Sequence, residues 1–473
     1  MNDSGSSIPA KHRIAAALPP QFHRERLREL CDRCTDGLIL LRGELDWFRK
    51  RELRRFDPAY RDTNFKQEKN LYYLTGIEIP NSLCLIDPRK RQLNVYTDWQ
   101  NSRELEGAKA LGIEKIYPTA AFLRDVRIYG QSHENLYALY APLLEDGPIF
   151  TKNAVMTGVF PPGMAAPVTE EMQFARRLSE LFPGHRIRSI DPVIDEMRKI
   201  KHAEEILCLR AANAAAVAGI LSAFGAIRPT IYDHDVSGVI ECAMRREGAV
   251  GATFSHNLMS GPNQFTKLDL LWADYRHLDR ELQEDDGIFI DIGAEVGYYV
   301  SDIGRTAPVS GRFSPDQRKL YDVYLPCYLA ALKSVKPGVT QKQIVSACVR
   351  AMEGQLPAIS EPWLKGTAEQ FIATTSGRPA LGHYIDMDVI GKGAAPDEPL
   401  KEGMVFAIEP LLFCAEKKFA VFIEDNILVT ADGYEVLSTG LPYTVEDVER
   451  TMASSTLIPK LDAGERVQCI GAG

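Results

Sequence analysis

Apolar positions along this chain fall into two textures that alternate from one end to the other. The stretch "QFHRERLRELCDRC", from Gln21, spaces its apolar residues for one face of a helix, and "DGLILLRG" then runs apolar without a break until glycine closes it, as a buried strand would. In "NLYYLTGIEIPNSLCLIDPRKRQLNVYTD" short apolar runs alternate with turn residues and predict strands, with "DPRKRQ" as the clearest hairpin connection. Around "SIDPVIDEMRKIKHAEEILCLRAANAAAVAGILSAFG" the pattern lengthens into an alanine-rich helix opened at Asp191-Pro192, and "DHDVSGVIECAMRREG" predicts another. Strands return in "GIFIDIGAEVGYYVSDIGRTAPV" and, after more helices, in "GMVFAIEPLLF" and "FAVFIEDNILVT".

These textures predict an α/β chain of two domains. Residues 1–20 read as a loose arm, 21–190 as a small α/β domain, 191–450 as a larger one and 451–473 as a tail. A length of 473 residues agrees, being too great for one ordinary core.

Composition narrows the function classes. Apolar residues at 45% and charged residues at 25% are ordinary for a soluble globular protein. A net charge of −9, with basic residues scattered along the chain, argues against a nucleic-acid partner. Neither a signal-peptide core nor a run of about 18 apolar residues stands out, so no membrane span and a cytoplasmic location are expected. Nine cysteines at irregular spacings fit a reducing compartment. Cys31 and Cys34 form a C-x-x-C, but with no second pair in reach they read as part of an amphipathic helix.

Carboxylates stand where apolar residues belong. Asp291 sits in "GIFIDIG", otherwise fit to be a fully buried strand, and an unpaired carboxylate there would be expensive. Asp302 follows after the turn-prone "AEVGYY", so a hairpin can bring the two together. Taken alone, this pair is equally compatible with two satisfied structural aspartates. Glu409 interrupts "MVFAIEPLLF" and Glu424 interrupts "FAVFIEDNILV" in the same way. Four buried acids would repel one another unless a multivalent cation sat among them. With His383 they form an oxygen-rich set suited to two divalent ions, manganese first, with iron, cobalt or zinc as alternatives.

The order Asp, Asp, His, Glu, Glu, in "IDIGAEVGYYVSDIGRT", "GHYIDMDV", "GMVFAIEP" and "FIEDNILVT", resembles the pita-bread metallopeptidases, in their Xaa-Pro aminopeptidase and prolidase branch. The segment "TNFKQEKNLYYLTGIEIPNSLCLI" is similar to the accessory domain of aminopeptidase P. The resemblance spans about residue 20 to about residue 445. It implies an accessory domain followed by a pita-bread catalytic domain. It further implies that Asp291 and Asp302 chelate one ion, that Asp302 and Glu424 bridge, and that His383 and Glu409 complete the second. A hydroxide held between two metals would attack the scissile carbonyl. A homo-oligomer, dimer or tetramer, is expected on the same ground.

The sequence departs from that pattern around the ligands. Two helper histidines of the family fall here on Pro379 and Ile390, which cannot move a proton through their side chains. A third falls near Leu268 or Asp269, with His277 further along an inserted loop that also carries Trp272 and Tyr275. Phe422, which shares a strand face with Ala420 and Glu424, stands where an arginine is usual. Proton transfer then falls to His277, to Asp386 or Asp388, to Tyr298 or Tyr299, to Lys392 or to metal-bound water. His277 and Asp386 are the catalytic candidates, against plainer readings as a solvated loop histidine and a turn aspartate.

Three functions compete. The first is a metal-dependent aminopeptidase removing the N-terminal residue from peptides with proline second. The alternative is a dinuclear metalloenzyme of the same fold acting on another small molecule, since fold does not fix chemistry. A scaffold with structural metals is the third.

Overall fold

The computed structural model describes residues 18–45, 65–100, 102–113, 115–140, 170–264 and 279–454. The chain divides into two compact units between Arg198 and Lys199.

The first unit is built on a six-stranded mixed sheet. Its strands are β1 (Gly37–Arg42), β2 (Leu83–Asp87), β3 (Gln92–Tyr96), β4 (Ile116–Tyr117), β5 (Asn135–Ala138) and β6 (Arg186–Ser189), in the order β4-β3-β2-β1-β5-β6. The apolar run "GLILLR" becomes β1, antiparallel to β2 and parallel to β5, which places it inside the sheet. The hairpin between β2 and β3 turns at "DPRKRQ", where Arg91 takes a φ of 51°. Leu38, Leu40, Leu85 and Leu136 meet Phe122 and Val126 of helix Phe122–Gly130 and Leu178 of helix Glu170–Leu181.

The textural change near residue 190 marks the start of helix Asp191–Lys199, whereas the units part at its end. This helix stays with the first unit, where the Tyr73 hydroxyl donates to the Met197 carbonyl at 3.2 Å. The single long helix expected here is two. A second helix, Ala203–Ala226, starts afresh after a break in which Lys201 N–H donates to the Gly403 carbonyl and His202 N–H to the Glu205 carboxylate. Apolar periodicity runs through so short a break without registering it.

Contrary to the expectation of no such segment, Ala203–Ala226 is long and apolar enough to cross a membrane, yet most of it is buried inside the structure. Alanines 212, 215 and 216, Ile220 and Phe224 pack into the core of the second unit. That is the behaviour of a core helix.

The second unit contains β7 (Gly251–Ala252), β8 (Asn257–Ser260), β9 (Gly287–Ile292), β10 (Ala294–Val296), β11 (Tyr299–Val300), β12 (Ile303–Pro308), β13 (Val405–Ile408), β14 (Leu411–Cys414), β15 (Phe419–Val429) and β16 (Tyr434–Val436). A seven-stranded sheet runs β13-β15-β12-β9-β8, with β14 and β16 also pairing with β15, and a small sheet runs β11-β10-β7. Glu409-Pro410 ends β13, because proline cannot continue the ladder, and β14 starts immediately after it. Helices Asp233–Arg246, Pro315–Lys333, Gln341–Gln355 and Pro362–Ser376 add their apolar faces to the same core.

Candidate metal centre

Strand register brings the acidic residues together. Gly304 on β12 pairs with Asp291 on β9 and, from its other side, with Glu424 on β15. Directly paired residues share a face, so both carboxylates rise from one surface of the sheet. Asp302 is two residues before Gly304 and uses that face too. Its backbone is clamped by Asn426, whose Oδ1 accepts the Asp302 N–H at 3.0 Å while its Nδ2 donates to the Asp302 carbonyl at 2.6 Å.

His383 and Glu409 arrive from the flanking segment. The chain at 381–385 runs beside β13, with Glu409 N–H donating to the Leu381 carbonyl, Ala407 N–H to His383 and Ile385 N–H to Val405. This places His383 Nε2 at 3.3 Å from Asp302 Oδ2 and 3.7 Å from Glu409 Oε1. Its Nδ1 lies 3.3 Å from the Tyr384 carbonyl, so that a proton on Nδ1 leaves Nε2 with its lone pair toward the carboxylates.

Asp302, His383 and Glu424 each offer one ligand atom within 4.8 Å of the others. Asp291 Oδ1, Asp302 Oδ1 and Glu424 Oε2 are buried with no hydrogen-bond partner. Three orphaned carboxylate oxygens beside one imidazole are a costly arrangement for a bare protein and a fitting one for divalent cations. Electrostatics agree. Burial first, then Asp302 and Glu409, push the Asp291 carboxyl well above its ordinary range, and burial, Asp302, Glu409 and Asp291 do the same to Glu424. Burial pulls His383 down, but Asp302 and Glu409 outweigh it and raise it to about 9.

Further residues hold this arrangement without standing out in the sequence. Asn257 on β8 lies opposite Asp291 and donates from Nδ2 to its Oδ2 at 2.8 Å, which occupies one oxygen and leaves the other free. On the opposite face of the sheet, fully buried Arg305 pairs with Asp425 at 2.8 Å and donates to the carbonyls of Gly304 and Glu424. Asp425 also accepts from Ser438, Tyr328 and Tyr443. The guanidinium thus ties β12 to β15 at the register step that carries Glu424. The signal was a charged pair inside apolar strands, overshadowed by the neighbouring acids.

The catalytic candidates fare differently. Asp386 is 1% exposed, and its carboxylate accepts the backbone N–H groups of Asp388 at 2.7 Å and Lys392 at 3.0 Å. These two bonds organise the loop after His383. His277 lies outside the described residues, as do Leu268, Asp269, Trp272 and Tyr275. The Tyr299 hydroxyl donates to the Glu205 carboxylate at 2.8 Å, and Tyr298 occupies a turn position with a φ of 71°. Pro379 is exposed and Ile390 half-buried. Cys31 and Cys34 are buried thiols whose pKa burial raises to about 11 and about 12, which suits neither redox nor metal chemistry.

Residues 207–431, which contain all five ligand candidates, match metallopeptidase family M24. Along nearly the whole chain, a Xaa-Pro aminopeptidase of Haemophilus influenzae is 26% identical over 469 residues, covering 92% of this chain and 98% of its own. Residues 207–431 thus match an M24 domain, and the chain as a whole resembles the aminopeptidase P branch of that family. A Xaa-Pro aminopeptidase of Escherichia coli is 29% identical over 279 residues, 56% of this chain and 62% of its own. The aminopeptidase PepP structure of Pseudomonas aeruginosa superposes with a TM-score of 0.73 at 22% identity, covering 93% of this chain and 99% of that one. Proline aminopeptidase P II of Yersinia pestis gives 0.71 at 24%, covering 92% and 99%. The aminopeptidase P fold, an amino-terminal domain followed by a pita-bread domain, is therefore that of this chain. The M24 match also implies divalent metal ions, and the orphaned oxygens fit them.

Proposed function

We propose that this chain is a metal-dependent aminopeptidase that releases the N-terminal residue from peptides with proline in second position. The observation that carries the reading is the cluster of three buried, unpartnered carboxylate oxygens facing His383 within an M24 domain. Asp291, Asp302, Glu409, Glu424 and His383 would hold two divalent ions, which lower the pKa of water and polarise a carbonyl. Oxygen donors with one imidazole favour manganese.

The protein's own part is placement. Asn257 fixes the rotamer of Asp291, Asn426 fixes the backbone of Asp302, and Arg305 fixes the register that sets Glu424 beside them. Depth excludes water, with Asp302 5% and Glu424 1% exposed. At Pro379 and Ile390 no side chain can move a proton, so losing such helpers sets the expectation of slow turnover, by about a hundredfold or more for each group. The same-fold enzyme acting on a different small molecule is less favoured, because relatives matched over nearly the whole chain carry the Xaa-Pro aminopeptidase name. The reading further takes residues 21–190 as an accessory domain, the cytoplasm as location and a dimer or tetramer as assembly.

The test is hydrolysis of matched Xaa-Pro-Yaa and Xaa-Ala-Yaa peptides by manganese-loaded protein, with Asp302→Ala as blank. Release of Xaa from the proline series alone, absent in the variant, is the expected result. Equal hydrolysis of both series, or none from metal-loaded protein, would contradict the reading.

A further inference from the structure

The strands that carry the carboxylates carry a second row of side chains on the same face. In the first row, Asn257, Asp291, Gly304 and Glu424 lie side by side across β8, β9, β12 and β15. Two residues along, Met259 lies opposite Phe289, Phe289 opposite Thr306, and Phe422 opposite Leu411. Phe422 is joined to Thr306 by its N–H, which donates to the threonine hydroxyl at 2.9 Å. This second row carries no charge. Its one polar member is engaged with backbone, since the Thr306 hydroxyl also donates to the Ala420 carbonyl.

The rings in this row form one unit. Phe289 and Phe422 stack with centroids 4.3 Å apart and planes at 27°, and Met259 and Leu411 pack against them. The Phe422 ring also leaves its own row. A Cβ on Gly304 would overlap it, so the ring lies over the residue that separates Asp291 from Glu424. At 2% exposure it is no deeper than Glu424 at 1%. Arg305, one residue from Gly304, faces the other side of the sheet and is committed to Asp425.

We propose that Phe289 and Phe422 form a specificity element of the metal centre, accepting a neutral, apolar part of the substrate beside the scissile bond and rejecting a free carboxylate there. The inference rests on the peptidase reading above and names its substrate class. In an Xaa-Pro dipeptide the terminal carboxylate is one residue, roughly 3.8 Å of chain, from the scissile carbonyl. Two phenyl rings offer it no donor, and the nearest charges of the wall are themselves carboxylates. A carboxylate taken out of water without a partner is costly. The favoured substrates are peptides whose proline is followed by a further residue or an amide.

Steady-state kinetics on the manganese-loaded full chain should compare an Xaa-Pro acid with its amide, in wild type and in Phe422→Arg. The expected wild-type result is a kcat/KM at least about tenfold higher for the amide, the size of discrimination a mismatched pocket contact gives. Phe422→Arg should narrow or invert that ratio. Equal turnover of acid and amide by wild type, or an unchanged ratio in folded Phe422→Arg, would overturn the proposal. Should the arginine prevent folding, Phe422→Gln, which offers a neutral donor from the same position, must narrow the ratio. If no peptide is hydrolysed, the peptidase reading has failed separately. Calorimetric binding of prolinamide and proline to the loaded protein then decides: tighter prolinamide, with the preference reduced in the variant, upholds the element, and equal affinities overturn it.

Discussion

Asp291 and Glu424 face each other across Gly304, each its register partner from an opposite side of β12. Only a glycine separates them, and burial together with repulsion from Asp302 pushes both carboxyls well above their ordinary range. A divalent cation among them would relieve that repulsion.

Metal-free protein should lose stability as pH rises. Both carboxyls have folded pKa values above their unfolded ones, so above the ordinary carboxylate range the unfolded chain binds fewer protons than the native one and unfolding free energy falls with pH. Asp233 and Glu68, each pushed up to about 7 chiefly by burial, tilt the curve the same way whether or not metal is bound. Thermal melts of chelator-treated protein from about pH 4.5 upward should therefore show a falling Tm, and manganese should flatten the slope. A metal-free Tm that climbs over this range would count against the account.

Loading with metal should release protons. His383 is held at about 9, where Asp302 and Glu409 overcome the effect of burial, and the carboxyls of Asp291 and Glu424 are pushed well above their ordinary range. Ligation requires these groups deprotonated. Calorimetry of manganese binding near neutral pH, in two buffers of different ionisation enthalpy, should show a net release of about one proton or more. A buffer-independent heat would mean the groups are already deprotonated.

Gly304→Ala should weaken both fold and site. The added methyl would overlap the Phe422 ring and lie 2.8 Å from the Ile290 carbonyl. Overpacking of this kind costs about 1–3 kcal/mol. Urea titration should show that loss, manganese affinity should fall with it, and the double change with Phe422→Leu should recover part of both. Undiminished stability in the single variant would show that the ring does not lie over Gly304.

Asp386→Ala should act through the loop. With two backbone N–H groups left without their acceptor, stability should drop by about 1–3 kcal/mol, while the pH profile of kcat keeps its shape. A profile that loses one limb would make Asp386 an acid or base of the reaction.

Much of this centre was legible in the sequence because burial makes a carboxylate conspicuous. Asp291, Asp302, Glu409 and Glu424 each interrupt an apolar strand run, and His383 stands alone after His277. The boundary of the helix Ala203–Ala226 was not legible, since the Glu205 carboxylate restarts the helix by accepting the His202 N–H, which leaves the apolar period unchanged. Nor was the work of Asn257, Asn426 and Arg305, which depends on register across strands far apart in the chain. The two amides that Asp386 holds, a few residues along the same loop, were not legible either, since the sequence shows only a carboxylate near His383.

The central claim is that these five side chains make the chain a metal-dependent peptidase. Its most direct test is a titration of chelator-stripped protein with manganese, following release of the N-terminal residue from an Xaa-Pro-Yaa peptide at each addition. The account predicts no hydrolysis without metal and a rate that reaches its plateau at two equivalents per chain. Hydrolysis that survives chelation, or none at any manganese level, would contradict it.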